Sequence, residues 1–271
     1  MKILSSVMEM ASKAGCGCAS MAIDLLLPAA QKAMSLAGLR ATDIDLIVTL
    51  SLSPDRIAID PSILGPRIGH PLQKTLQANN AYVFDLMDAS VAKALHITDM
   101  FSKEQGYKRV LFARTEFNAG LRADLESGFA MADGAMACVI EPDGLSRFAS
   151  FPVPGLNPMV IELNENIRAL SDHKAFIRFH PNIGDADSFR LAASQAAFSL
   201  NRSQSEYLAE DWFTTVVGRK RQTSGTTGPF DLGIGFSRLT PNEHGSHLTA
   251  VSFDPFGPSA EAVNVFCGSL T

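Results

Sequence analysis

Ser90 is the residue of this 271-residue chain whose setting points most directly to chemistry. Tyr82, Val83 and Phe84 form a short apolar run of strand formers, and Asp85 closes it. Asp88 reads as the cap of a following helix, whose residues Val91, Ala94, Leu95, Thr98 and Phe101 share one face. Ser90 then lies on the first turn, in the positive end of the helix dipole, where free N–H groups favour negative charge. A nucleophile placed there could attack an acyl carbonyl. A serine hydroxyl is weak at its ordinary pKa, however, and needs an adjacent base.

The sequence offers no evident base. His96 lies on the same helix but on its opposite side from Ser90. His70, His173, His180, His244 and His247 fall in loops or at strand edges, where solvated or capping histidines are usual. Cys16 and Cys18 flank a glycine with no histidine pair at ligand spacing, so a zinc site is not expected. Cys138 and Cys267 lie in apolar strand-like runs and read as small core residues. No disulfide framework is implied, and a reducing cytoplasm fits.

The elements that must position these residues follow from the pattern. Residues 22–38 make a helix with Leu26, Ala29, Ala30, Ala33 and Ala37 on one face and Gly38 as its stop. Leu46–Leu50 is a strand, and Ser53-Pro54-Asp55 a turn. Pro61, Pro66 and Pro71 break up residues 56–77. After the central helix come a strand over Arg109–Arg114 and a hairpin over Phe129–Ile140, turning at Asp133-Gly134. Residues 142–185 look like a linker. Ser188–Leu200 is a helix, Asp211–Val217 a strand, and Gly225–Leu239 a turn with a short helix. His247–Phe253 and Ala262–Phe266 are closing strands around Asp254-Pro255. Residues 1–20 are weakly patterned. Alternating strands and helices predict an α/β protein with a mainly parallel sheet, in two halves, 1–145 and 146–271, packed as one unit.

Composition narrows the class. Hydrophobic residues make up 46% of the chain, charged residues only 19%, and the net charge is −5. Low charge suits either an oligomer that buries extra surface or a large α/β core. The mild acidity argues against nucleic acid, and Arg219-Lys220-Arg221 is an isolated basic cluster. Glu9 and Lys13 interrupt the first apolar stretch too early for a signal-peptide core. No run approaches the roughly twenty apolar residues of a membrane span, which leads to the expectation of a cytoplasmic protein.

Several segments carry a family likeness. FDLMDASVAKAL around Ser90 resembles the nucleophile segment of the β-ketoacyl-acyl-carrier-protein synthase III family, of thiolase fold. LLLPAAQKAMSLAGLRATDIDLIVTLSLSPD (25–55), GYKRVLFARTE (106–116) and ESGFAMADGAMACVIE (126–141) resemble further family segments. IGHPLQK (68–74), ESGFAMADGA (126–135) and SFDPFG (252–257) are similar to a cysteine-less branch of that family, the smaller subunits of two-subunit alkylquinolone synthases.

The resemblance implies a duplicated αβαβα thiolase-like fold, shortened relative to typical members. It also implies what is missing. Where the family holds a reactive cysteine this chain has Ser90. Where it holds an asparagine stands Thr226, no histidine follows Asp211-Trp212, and Pro255 in the late oxyanion loop has no N–H to donate. The family's chemistry needs a thiolate, a His/Asn pair and backbone N–H donors together, so no catalytic residue is expected here. The segment 57–72 corresponds to a loop that crosses the family's dimer interface, which makes Asp60, Pro61, Ile63, Pro66 and His70 candidate partner contacts. The implied partner is a cysteine-bearing synthase III-like subunit in a heterodimer, which would handle the acyl-CoA substrate. No metal or redox cofactor is implied. The joint reaction would condense a medium-chain acyl group with 2-aminobenzoylacetate to a 2-alkyl-4(1H)-quinolone, in quorum-sensing metabolism. The alternatives are a stand-alone serine acyltransferase or thioesterase using Ser90, and an acyl-binding scaffold.

Overall fold

The computed structural model describes residues 1–10, 21–52, 68–87, 89–117, 133–163, 177–182, 186–200, 207–209, 230–239 and 246–268. In chain order the elements are β1 (Lys2–Met10), α1 (Ala22–Leu36), β2 (Leu46–Leu50), α2 (Gly69–Leu76), β3 (Tyr82–Leu86), α3 (Val91–Gln105), β4 (Val110–Glu116), β5 (Gly134–Glu141) and β6 (Phe148–Pro152). They continue with β7 (Asn157–Leu163), β8 (Ile177–Asn182), α4 (Ala186–Leu200), β9 (Leu208–Ala209), α5 (Asp231–Leu239), β10 (Ser246–Asp254) and β11 (Ser259–Cys267).

One sheet runs through both halves of the sequence in the order β3-β2-β4-β5-β1-β11-β10-β9, with β6 joined to β11. β7 and β8 form a separate antiparallel pair. The main sheet is mixed rather than mainly parallel. β2 pairs parallel with β3 and β4, and β1 with β11, whereas β5 is antiparallel to both its neighbours and β10 is antiparallel to β11. The helical crossovers α2 and α3 set the parallel pairs of β2, consecutive antiparallel strands give β4–β5 and β10–β11, and β1 joins β5 and β11 from far along the chain.

The weakly patterned start is in fact a central strand. Ile3, Leu4, Ser5, Ser6 and Val7 are all buried, so β1 faces protein on both sides and shows no apolar–polar alternation. Its serines are satisfied there: Ser5 Oγ donates to the Ala33 carbonyl at 2.7 Å and Ser6 Oγ to that of Gly233 at 3.4 Å. The linker-like stretch likewise contains β6, β7 and β8. Its prolines lie at strand ends and edges, where a lost N–H costs little. The first arm of the expected hairpin over 129–140 and the strand expected over 211–217 lie mostly or wholly outside the described residues.

Helices cover both faces. On one face α1 packs its Leu26, Ala29, Ala30 and Ala33 stripe against β1, β4 and β5, and α2 adds Leu72 and Leu76. α4 lies on the same side of the second half, burying Phe189, Ala192, Ala193, Ala196, Ala197 and Leu200 as its periodicity predicts. On the other face α3 and α5 bury Val91, Ala94, Leu95, Leu232 and Phe236 against β1, β2, β10 and β11. The strand period of two divides β10 between the layers: Leu248 and Ala250 face α3 and α5, Val251 and Phe253 face α4.

Candidate functional site

The strand β3 delivers the chain to the start of α3, beside β10 and β11. Ser90, not Asp88, is the N-cap of α3: its backbone is extended (φ −70°, ψ 161°) and its Oγ accepts the Lys93 N–H at 3.0 Å. Asp88 lies outside the described residues. Ser90 is 1% exposed.

Its hydroxyl donates to Glu261 Oε2 at 2.5 Å. Glu261 stands on β11, itself only 3% exposed, opposite Ser252 of β10 on one side and Ser150 of β6 on the other. The second carboxylate oxygen accepts long hydrogen bonds from Ser150 Oγ at 3.4 Å and Ser259 Oγ at 3.5 Å. Lys93 Nζ is 4.0 Å from Glu261 Oε1 and 3.8 Å from Asp254 Oδ2. Burial is the largest influence on the Glu261 carboxyl and pushes its pKa up; the Ser90 hydrogen bond opposes that rise, and the nearby Asp254 charge adds to it.

Four backbone donors around the site are bound within the chain. Besides the Lys93 N–H bound by Ser90, the Ala92 N–H donates to Ser252 Oγ at 2.7 Å. In the β10–β11 turn Pro255 is buried, and the N–H groups of Phe256 and Gly257 donate to Asp254 Oδ1 at 3.0 and 3.2 Å. Chemically, Glu261 is placed to take a proton from Ser90. A carbonyl, however, would find the hydroxyl buried and these N–H donors engaged.

The remaining sequence expectations divide cleanly. His96 does face away from Ser90: its Nδ1 is 2.9 Å from Ser146 Oγ, its ring stacks on Phe148, and burial pushes its pKa down. Thr226, Asp60, Pro61, Ile63 and Pro66 lie outside the described residues. His70 is in the first turn of α2 rather than in a loop, exposed, with Nδ1 3.8 Å from Asp85 Oδ2. Asp85 in turn accepts the Gly69 N–H at 2.6 Å, the Ile68 N–H at 3.3 Å and the Thr49 hydroxyl, tying α2 to the edge strand β3. Cys138 and Cys267 are buried thiols, each pushed up to about 12 mainly by burial.

Glu261, Lys93, Asp254 and Ser252 are the site residues that sequence reasoning missed. The signal was present in one of them. Glu261 is an acid inside the run SAEAVNVFC, which forms β11 from Ser259 onward; beginning the strand at Ala262 left that acid in a turn.

A scan of family models finds no match to the chain. It is 38% identical over 250 residues to the 2-heptyl-4(1H)-quinolone synthase subunit PqsB of Pseudomonas aeruginosa, covering 90% of this chain and 86% of that protein. The chain belongs to the PqsB family. A second relative, the β-ketoacyl-[acyl-carrier-protein] synthase III of Thioalkalivibrio sulfidiphilus, is 31% identical over 122 residues, 44% of this chain and 36% of that one. Among solved structures the chain superposes on the priming β-ketosynthase of the R1128 polyketide pathway with a TM-score of 0.61 at 20% identity, covering 92% of this chain and 83% of that one. For the 3-oxoacyl-(acyl carrier protein) synthase III FabH of P. aeruginosa the TM-score is 0.63 at 15% identity, covering 93% and 85%. These likenesses show that the chain has the thiolase-like fold of the synthase III enzymes. Among the described residues no helix is long and apolar enough to cross a membrane, and no group of His, Cys, Asp or Glu is arranged to hold a metal ion.

Proposed function

We propose that this chain is the non-catalytic subunit of a two-subunit acyltransferase that makes 2-alkyl-4(1H)-quinolones. The observation that carries the reading is the state of Ser90: capped, buried and hydrogen-bonded to the carboxylate of Glu261, with the Ala92 and Lys93 N–H groups already bound. Catalysis of acyl transfer needs donors free to meet a developing oxyanion and a nucleophile open to the carbonyl. The kinship with PqsB, named as a synthase subunit, supports the placement in a complex.

The partner is a synthase III-like chain bearing the reactive cysteine. It carries the medium-chain acyl group, taken from a coenzyme A thioester, and condenses it with 2-aminobenzoylacetate. This chain supports and shapes the partner's pocket. The sheet offers a docking edge for that purpose. β3 ends the sheet, pairing on one side only among the described residues, and its Tyr82 is 66% exposed. An edge strand of this kind presents N–H and C=O groups to another chain.

A second reading has one observation in its favour. The 2.5 Å contact puts a carboxylate base against Ser90, which is the arrangement of an activated serine. Co-expression with the cysteine-bearing partner separates the two. The expected result is a one-to-one complex that forms quinolone only when both chains are present and keeps its activity in Ser90→Ala. Activity from this chain alone, abolished by Ser90→Ala, would overturn the proposal and make Ser90 the nucleophile.

A further inference from the structure

The polar cluster at the start of α3 contains more than a missing nucleophile. It contains an occupant. Glu261 reaches from β11 and sets its carboxylate against the Ser90 hydroxyl. Ser150 and Ser259 brace the carboxylate from behind, and Lys93 lies over it and Asp254 at salt-bridge range. Ser252 takes the Ala92 N–H, and Ser90 takes that of Lys93. Side chains from α3, β6, β10 and β11 thus meet at the Ser90 hydroxyl and bind the Ala92 and Lys93 N–H groups of the helix start.

We infer that the Glu261 side chain is a built-in stopper, closing this chain's own pocket over Ser90 to acyl groups. The inference rests on the non-catalytic reading above and gives it a physical device. A tethered group competes with a free ligand at an effective concentration on the order of millimolar. The bracing serines raise that advantage, because the carboxylate is held in place before any ligand arrives. Two carboxylates, Glu261 and Asp254, also set negative charge beside the position, so a thiolate or oxyanion formed there meets like charge.

The test uses the assembled complex of both subunits and iodoacetamide as the probe. Ser90→Cys places a thiol at the stoppered position, and mass spectrometry of the peptide containing residue 90 reads its alkylation. Ser90→Cys alone should label slowly. Ser90→Cys combined with Glu261→Ala should label faster by roughly tenfold or more, since both access and thiolate fraction rise. Ser90→Cys with Glu261→Gln, which keeps the shape and loses the charge, should stay closer to the slow rate. If Glu261→Ala disturbs assembly, seen as loss of the one-to-one complex on sizing, Glu261→Ser replaces it in the same comparison. Equal labelling with and without Glu261 would overturn the stopper. A separate measurement guards the underlying reading: incubation of the unmodified complex with octanoyl-CoA, followed by mass analysis of the Ser90 peptide. Acylation of native Ser90 would overturn the non-catalytic assignment itself, whereas unequal alkylation rates bear only on Glu261.

Discussion

Replacing Glu261 by glutamine and by alanine should have opposite effects on stability, and the pair of results probes how the centre of this molecule is held. Burial raises the Glu261 pKa in the folded chain. The sign follows from linkage: a carboxyl whose folded pKa exceeds its unfolded value binds protons more tightly when folded. Its favourable contribution is fully present below the unfolded value and is lost as pH rises through the folded one. The ionised carboxylate is therefore a net burden that its hydroxyl donors and Lys93 only partly offset. Glutamine keeps an oxygen to accept the Ser90 hydroxyl and removes the charge. Glu261→Gln should leave stability unchanged or raise it by up to about 1 kcal/mol at pH 7.5, with the gain shrinking toward pH 5. Alanine instead removes one buried methylene, about 0.8 kcal/mol, together with the carboxylate, and strands the Ser90 donor at about 1–3 kcal/mol. Setting the relieved charge against these losses leaves about 1–3 kcal/mol of destabilisation. Thermal unfolding of the complex by circular dichroism between pH 5 and 8 measures both. A glutamine variant as damaged as the alanine variant at pH 7.5 would refute the reasoning, because the charge itself would then be the stabilising element.

Other outcomes follow from single contacts. Gly69 approaches the edge strand so closely that a Cβ there would clash with Val83 Cγ1, so Gly69→Ala should shift α2 and cost about 1–3 kcal/mol in denaturant unfolding. Gly106 ends α3 at φ 74°, and Gly106→Ala should lower stability by about 1 kcal/mol in the same assay. His96 should titrate below the usual histidine value in an NMR pH series, with stability falling as pH drops through the window between its unfolded and folded pKa values. Tyr82→Lys on the exposed edge of β3 should weaken association with the partner subunit on analytical sizing while leaving the melting of the isolated chain nearly unchanged.

What the sequence showed and what it hid divide along a physical line. Amphipathic elements were legible: the apolar stripes of α1, α3 and α4 are buried as their spacing predicts, because a half-exposed helix must write its inner face into the sequence. β2 was found to its limits because apolar residues fill it. β1 was not, since a strand buried on both sides can carry Ser5 and Ser6 as long as neighbouring carbonyls satisfy them. The site was half legible. The strand–turn–helix around Ser90 stands where the motif put it, but Glu261 lies 171 positions away in sequence, and only the packing of α3 on the β10–β11 hairpin brings the two together. No local pattern encodes a contact of that separation.

The place of β1 in the sheet bears on how the chain must be made. Its two sheet neighbours are β5, residues 134–141, and β11, residues 259–267. During synthesis β1 emerges with both its edges open, gains one neighbour once β5 is made, and waits until β11 is made before gaining the other. Pairings of such long range form slowly and leave apolar strand edges exposed in the interval. The chain is thus most vulnerable to aggregation just before β10 and β11 appear. A nascent chain stalled there would already hold β1 to β5, yet Ser90 would have no Glu261 to meet and the sheet would end at β1.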